Sequence, residues 1–247
     1  MSLKNYISQG SALKDTMEKG QVGEGILLVP GLGFSNAYLF EIDPKTLILI
    51  DTGTSSGGSK VLAFLEGTGK KLNEISEIVL THSDADHSGS AASLKRATGA
   101  KLAVHELDAP RVSGQVKRIK ETRGFGNLLI GLFSVFMKVE RVKPDVLFKD
   151  GDVVGPLTVI HTPGHTDGSI CLYEPGKALF VGDILRTTSS GNLGLPSNMM
   201  NRDPGQLKQS VEKISRLDFE ILLPGHGKPV TDNASQKLKQ FVASGFK

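Results

Sequence analysis

The most informative stretch of the sequence is Thr81-His82-Ser83-Asp84-Ala85-Asp86-His87-Ser88-Gly89, which places two imidazoles and two carboxylates within six residues. The apolar run Ile78-Val79-Leu80 precedes it, so the pattern predicts a loop at the end of a strand. Histidine nitrogen and aspartate oxygen are ligands that zinc, iron and manganese bind in proteins. Core packing gives no reason for such a density of ligand-type side chains, and we therefore predict a metal site.

Three more motifs place ligand-type residues where predicted strands end. Thr162-Pro163-Gly164-His165 puts a histidine on a Pro/Gly turn, Val181-Gly182-Asp183 ends an apolar run, and Pro224-Gly225-His226-Gly227 follows another. Functional side chains are commonly carried on loops that a rigid sheet holds in place. The four motifs are therefore predicted to form one site.

The hydrophobic pattern predicts an alternation of strands and helices. Strands are predicted over 25–30, 37–42, 46–50, 75–81, 101–105, 157–162, 169–173, 178–181 and 219–223. Helices are predicted over 60–67, 88–98 and 107–121, from Asp203-Pro204 to about Leu217, and from Asp232 onward. Two strand-rich parts, each followed by helices, indicate two sheets packed face to face with helices outside, in an α/β or α+β arrangement.

Taken together, the motifs resemble those of the metallo-β-lactamase fold superfamily, with members such as glyoxalase II and the lactonases. The resemblance rests on an ordered set and covers about residues 25–230: Asp51, His82 to His87, His165, Asp183 and His226. It implies an α+β fold, an αβ/βα four-layer sandwich of two mixed β-sheets flanked by helices, with metals in a cleft at one edge of the sheets. We expect a single domain over residues 1–247.

The resemblance also assigns roles to the ligand-type residues. The first metal would take His82, Asp84 and His165, the second would take Asp86, His87 and His226, and Asp183 would bridge them, while Asp51 would support the ligand loops. The implied activity is that of a dinuclear hydrolase, which cleaves a small ester, thioester or lactone through a metal-bound hydroxide. Asp86 would orient the nucleophile and pass its proton to the leaving group.

Asp84 is the departure from the family pattern, because the usual motif HxHxDH has become HxDxDH. Carboxylate oxygen is a harder ligand than imidazole nitrogen and shifts preference toward iron or manganese, although two zinc ions remain our first expectation. One alternative is therefore a non-haem iron oxidoreductase, flavodiiron-like or sulfur-dioxygenase-like, whose electron donor would be a separate protein. A further alternative is a phosphodiesterase or nuclease, which the weak net charge of +3 disfavours, so no nucleic-acid partner is expected.

The segment 107–148 is predicted to be a helical lid insertion. Its basic run around Lys117 to Arg123 is expected to be a solvated helix face, and an apolar helix over about 125–138 follows. That helix is predicted to cover an apolar part of a small-molecule substrate through Phe133 and Phe136, to form a homodimer contact, or to belong to the core. Arg186 stands near the point where related lactonases carry a tyrosine, and it is a candidate for binding an anionic substrate group.

Composition predicts a cytoplasmic setting. The single cysteine, Cys171, allows no intrachain disulfide and is expected to be buried, and residues 1–21 contain no apolar signal-like stretch. The longest apolar stretch, 128–137, is about half the roughly 20 residues that a membrane span needs, so none is expected. His105 and His161 lie in predicted strands outside the motifs and are expected to have packing roles.

Overall fold

Two mixed β-sheets form the centre of the protein. The computed structural model describes residues 20–116 and 139–247. The first sheet has seven strands in spatial order: β1 (Gln21–Gly23), β2 (Ile26–Leu28), β3 (Tyr38–Asp43), β4 (Thr46–Ile50), β5 (Ile75–Val79), β6 (Lys101–His105) and β7 (Val146–Phe148). Strands β1 to β4 pair antiparallel, and β4 to β7 pair parallel.

The second sheet has five strands in the order β14-β11-β10-β9-β8. Its strands are β8 (Val153–Val154), β9 (Leu157–His161), β10 (Ile170–Glu174), β11 (Ala178–Gly182) and β14 (Ile221–Pro224). Only β11 and β14 pair parallel, so the ends of these two strands lie at the same edge. A short hairpin joins β12 (Arg186–Thr187) to β13 (Leu193–Gly194).

Helices cover the outer faces of both sheets. Among the described residues the helices are α1 (Gly57–Gly67), α2 (Ala85–Ser88), α3 (Ala91–Thr98), α4 (Ala109–Val112), α5 (Pro204–Ile214) and α6 (Ala234–Ala243), with 3₁₀ turns at Leu72–Glu74 and Asn198–Met200, and α2 is a single turn that follows β5. Pro204 begins α5, and the Asp203 carboxylate accepts hydrogen bonds from the backbone N–H groups of Gly205 and Gln206. This end of α5 is the one that the Asp-Pro pair predicts.

Alternation along the strands divides the apolar side chains among three cores. Ile48, Phe180 and Leu172 belong to the core between the sheets, where the Tyr38 and Phe180 rings also meet edge to face. A second core packs α1 and α3 on the first sheet, and a third packs α5 and α6, together with the buried Cys171, on the second sheet. The predicted αβ/βα four-layer sandwich is therefore confirmed, as is the burial of Cys171.

Two local predictions are wrong. The stretch Thr81–Gly89 is not wholly a loop, because α2 begins directly after Asp84 and carries two of the ligand-type residues. The helix predicted over 107–121 spans only Ala109–Val112 among the residues described there, because Gly114 takes a left-handed conformation with φ of +78° that ends it. The predicted helix 125–138, the basic run and most of the lid insertion lie outside the described residues.

The topology brings the loops that carry ligand-type residues to one edge of the sandwich. Asp51 follows β4 and Thr81 follows β5, and these strands are parallel neighbours. On the second sheet, Asp183 follows β11 and the loop of His226 follows the parallel strand β14. Within residues 20–116 and 139–247, none of the helices is long and apolar enough to cross a membrane.

Candidate metal centre

Ligand-type side chains meet at this edge in two groups. Within each group the candidate ligand atoms lie within 4.8 Å of one another: His82, His165 and Asp183 form the first group, and Asp86, His87 and His226 form the second. Asp84 adjoins the first group, since its Oδ2 lies 3.2 Å from His165 Nε2 and 3.9 Å from His82 Nε2. All seven residues that the sequence predicts as ligands are therefore together.

The Asp183 carboxylate lies between the two groups. Its Oδ2 is 3.5 Å from Nε2 of His165 and 3.1 Å from Nε2 of His226, and its Oδ1 is 3.2 Å from Nε2 of His87. This carboxylate faces histidines of both groups, which is the placement that a bridging ligand needs.

Each of the four histidines in the site is held through its Nδ1 atom. His82 Nδ1 is 3.0 Å from Thr81 Oγ1, and His165 Nδ1 is 3.0 Å from Asn201 Oδ1. His226 Nδ1 donates to the carbonyl oxygen of Phe34 at 2.6 Å. Because each Nδ1 atom is engaged in this way, Nε2 is the ring atom directed toward the site, as in a metal-ligating histidine.

Asp51 connects the two groups by hydrogen bonds, because it binds His87 of the second group and Thr81, which holds His82 of the first. Its Oδ2 accepts hydrogen bonds from Thr81 Oγ1 at 2.7 Å and from His87 Nδ1 at 2.8 Å, and its Oδ1 accepts from the Thr81 backbone N–H at 2.8 Å. Because Thr81 Oγ1 donates to Asp51, it remains an acceptor for His82. Asp51 has a left-handed φ of 60°, a conformation that aspartate tolerates better than most residues.

Burial and mutual charge shift the pKa values of the site residues. Burial, with the neighbouring imidazole of His87, lowers the pKa of His82 to about 3. Burial opposes the charged form of His226 as well, but its hydrogen bonds with Asp183 and Asp86 raise its pKa to about 9. The pKa of Asp183 lies well below its usual value because His87 and His226 outweigh its burial. The Asp183 carboxylate is thus ionised and the His82 imidazole neutral, as in metal ligands, whereas His226 would have to release a proton to bind an ion.

Three buried polar side-chain atoms of the described residues make no well-formed hydrogen bond: His82 Nε2, Asp183 Oδ1 and Ser83 Oγ. His82 Nε2 and Asp183 Oδ1 belong to the groups described above, and Asp183 Oδ1 has only the ion-pair contact with His87 Nε2 at 3.2 Å. Buried polar atoms are normally paired, because an unpaired one costs about 1–3 kcal/mol. A cation between the groups would satisfy His82 Nε2 and Asp183 Oδ1, so the donor set fits divalent metal ions.

Of the predicted substrate residues, only Arg186 lies among the residues that the structure describes. Arg186 is exposed on β12, and its neighbour Thr187 packs against the loop of His226 through a backbone bond and through its hydroxyl bond to Lys228. Since successive strand residues point to opposite faces, Arg186 points away from that contact. Phe133 and Phe136 lie outside the described residues.

His105 and His161 stack on each other with ring centroids 4.1 Å apart, so both have a packing role.

Sequence reasoning missed three residues that support the ligands. Thr81 and Asn201 each hold a histidine, and Asp108, which is fully buried, accepts hydrogen bonds from two ligand loops. The Thr81 hydroxyl directly precedes a ligand and could have been suspected from the motif. Asn201 and Asp108 are far from the ligands in sequence and gave no local signal.

A four-layer sandwich with two groups of histidine and aspartate side chains at one edge is an arrangement suited to binding metal ions. Residues 30–226 match the family model described as "Metallo-beta-lactamase superfamily". The chain belongs to this superfamily.

Several similar proteins have been described. "Acyl-coenzyme A thioesterase MBLAC2" of Homo sapiens is 31% identical over 158 residues, which are 60% of this chain and 54% of that protein. The chain thus spans about half the length of this relative. "Probable metallo-hydrolase MJ0888" of Methanocaldococcus jannaschii is 30% identical over 226 residues, 88% of this chain and 100% of that protein. The crystal structure of TTHA1623 in a di-iron-bound form has a TM-score of 0.62 at 26% identity, covering 84% of this chain and 92% of that one.

Proposed function

We propose that this protein is a dinuclear metallohydrolase that cleaves a small ester, thioester or lactone with an apolar portion. The observation that carries the proposal is the convergence of four histidine Nε2 atoms on the Asp183 carboxylate, with each Nδ1 atom held by another acceptor. In the proposed assignment, His82, Asp84 and His165 hold one ion, and Asp86, His87 and His226 hold the other, with Asp183 between them. Two such ions, when bound, supply an activated water and polarise a carbonyl oxygen.

Asp86 is the proposed proton carrier. Its Oδ2 lies 3.3 Å from His226 Nε2, and a quarter of its side chain is exposed, so one carboxylate face is open to the site. Burial is outweighed by His87 and His226, which lower the pKa of Asp86, so the carboxylate is ionised and able to accept a proton. It would hold the proton of the attacking water and release it to the departing alkoxide or thiolate, which balances the hydrolysis.

Exposed apolar side chains belong to segments that hold the ligand histidines, which supports a substrate with an apolar portion. Phe34 is 66% exposed, and its backbone carbonyl accepts a hydrogen bond from His226 Nδ1. Met199 and Met200 are 59% and 43% exposed. They directly precede Asn201, whose Oδ1 is hydrogen-bonded to His165 Nδ1. Exposed apolar side chains thus lie at or next in sequence to residues that hold a histidine of each group. The thioesterase activity in the name of the human relative supports testing acyl thioesters first.

The test is hydrolysis by metal-reloaded protein. Protein stripped with a chelator is loaded with zinc, manganese or, without oxygen, ferrous iron, and assayed on acyl-coenzyme A thioesters, acyl esters and lactones. Thiol release is readable with a thiol reagent because Cys171 is buried and contributes little background. His165→Ala is the matched inactive variant. Absence of turnover with every metal on all three substrate classes would overturn the proposal.

A second candidate is a non-haem iron oxidoreductase, which the position of Asp84 favours. Its carboxylate oxygen lies 3.2 Å from His165 Nε2, so the first group offers an oxygen ligand where the family usually has nitrogen. The di-iron form of TTHA1623 supports iron as an occupant. Elemental analysis of protein expressed without added metal, with an oxygen electrode, separates the candidates: zinc alone and no oxygen uptake would reject this one. Zinc as the native metal, cytoplasmic location and a single domain stay predictions.

A further inference from the structure

Asp108 is a buried carboxylate that lies outside every metal motif. Its side chain is 0% exposed, and although it directly precedes α4 it makes no capping hydrogen bond to that helix. Its Oδ2 instead accepts the Ser83 backbone N–H at 2.7 Å and the Thr166 hydroxyl at 2.8 Å, and its Oδ1 accepts the Gly168 backbone N–H at 3.1 Å. Burying a carboxylate is costly unless its oxygens are paired, and here three donors pair them.

These donors belong to two loops that come from different sheets. Ser83 stands between His82 and Asp84 after β5, whereas Thr166 and Gly168 follow His165 in the turn between β9 and β10. A Cβ atom at Gly168 would lie 2.6 Å from the Asp108 backbone nitrogen, so the second loop is pressed directly against this residue. One carboxylate therefore clamps together the loops that supply all three terminal ligands proposed for the first ion.

The second group is held by other residues. His87 donates to Asp51, and His226 donates to the Phe34 carbonyl. In the described parts of the chain the side-chain hydrogen bonds of Asp108 go to Ser83, which precedes α2, and to the loop of His165; none goes to α2, which carries His87, or to the loop of His226. A change at Asp108 should therefore affect the two groups unequally.

We propose that Asp108 is a positioning residue that sets the metal affinity of the first group by fixing the loop of His82 and Asp84 against the loop of His165. The inference rests on the proposed function, because it concerns the ion held by that group. Residues outside the ligand shell that orient ligands typically change metal affinity about 10–100-fold when substituted.

The variant Asp108→Asn tests this with little change of shape. Its amide group presents a donor where one oxygen now accepts, so at least one of the two loops loses its acceptor. The fold should persist because the backbone bond from Ile170 N–H to the Thr81 carbonyl, at 2.9 Å, also joins the two loops. Asp145→Asn is the matched control, since Asp145 likewise accepts a backbone N–H, that of Leu102 at 2.8 Å, away from the ligand loops.

The measurement is a titration of the full-length, metal-free chain with cobalt(II), followed by its visible absorption bands and by equilibrium dialysis. We expect wild type and Asp145→Asn to bind two ions, and Asp108→Asn to bind one of them about 10–100-fold more weakly with the other unchanged. Thr166→Val should weaken binding of the same ion, whereas Thr166→Ser, which keeps the hydroxyl, should bind it with wild-type affinity.

Either of two results would overturn this inference and leave the proposed function standing. One is that Asp108→Asn binds both ions with wild-type affinity, and the other is that it loses affinity equally for both ions. A wild-type chain that binds no ion would overturn the proposed function and this inference with it. Thermal unfolding of the metal-free variants is measured in parallel, so that weaker binding of one ion in a folded chain is read as positioning.

Discussion

Asp51→Asn is the substitution whose consequence follows most directly from the site geometry. Asp51 Oδ2 accepts hydrogen bonds from both Thr81 Oγ1, at 2.7 Å, and His87 Nδ1, at 2.8 Å. An amide nitrogen in that position donates instead of accepting. His87 would then have to move its proton to Nε2, the atom that faces the second group, and it would lose the lone pair with which it would bind metal.

The size of the effect can be worked from these contacts. If the amide turns to keep its oxygen toward His87, its nitrogen faces the Thr81 backbone N–H, which Asp51 Oδ1 now accepts at 2.8 Å. A buried donor left without an acceptor costs about 1–3 kcal/mol. Since about 1.4 kcal/mol corresponds to a factor of ten in an equilibrium constant, we expect metal affinity to fall about 5–150-fold. Thr81 also holds His82, so both groups should lose affinity.

Chelator competition with zinc measures this loss in wild type, Asp51→Asn and the remote control Asp145→Asn. Thermal unfolding of the same metal-free proteins shows whether the variant is folded when it is titrated. If folded Asp51→Asn binds both ions as tightly as wild type does, the argument that Asp51 fixes the tautomer of His87 is refuted.

Three further changes have defined outcomes. Asp84→His, which restores the usual nitrogen ligand, should raise the zinc-to-iron ratio bound under metal competition, measured by elemental analysis; an unchanged ratio would show that Asp84 does not select the metal. Gly225→Ala places a methyl group 2.3 Å from Asp183 Oδ1 and should lower the number of metal ions bound per chain. Retention of two ions per chain would contradict this. Burial and neighbouring His161 lower the pKa of His105 to about 4. The unfolded chain therefore binds a proton between about pH 6.5 and 4 that the fold does not, so stability falls as pH falls through this window. His105→Phe should move the acid-unfolding midpoint, followed by circular dichroism, to lower pH; an unmoved midpoint would contradict this.

Much of the fold was readable from local pattern because strands and helices depend on short-range periodicity. The strands Thr46–Ile50 and Lys101–His105 were predicted to the residue, and the Asp-Pro pair fixed the start of α5. Short edge strands such as β8 and β13 were missed, since two residues carry no detectable alternation. The helix predicted after Leu107 was too long because Gly114 ends it in a left-handed turn.

For the candidate centre, the sequence by itself determined which residues have metal-ligand chemistry, because side-chain type and motif order are local properties. Tertiary structure alone decided that Asp183 faces histidines of both groups, that Asn201 and Asp108 support the ligand loops, and that the Phe34 carbonyl accepts a hydrogen bond from His226. The physical reason is that these contacts join residues far apart in the chain. Their distances depend on how two sheets pack face to face, and no run of neighbouring residues records that packing.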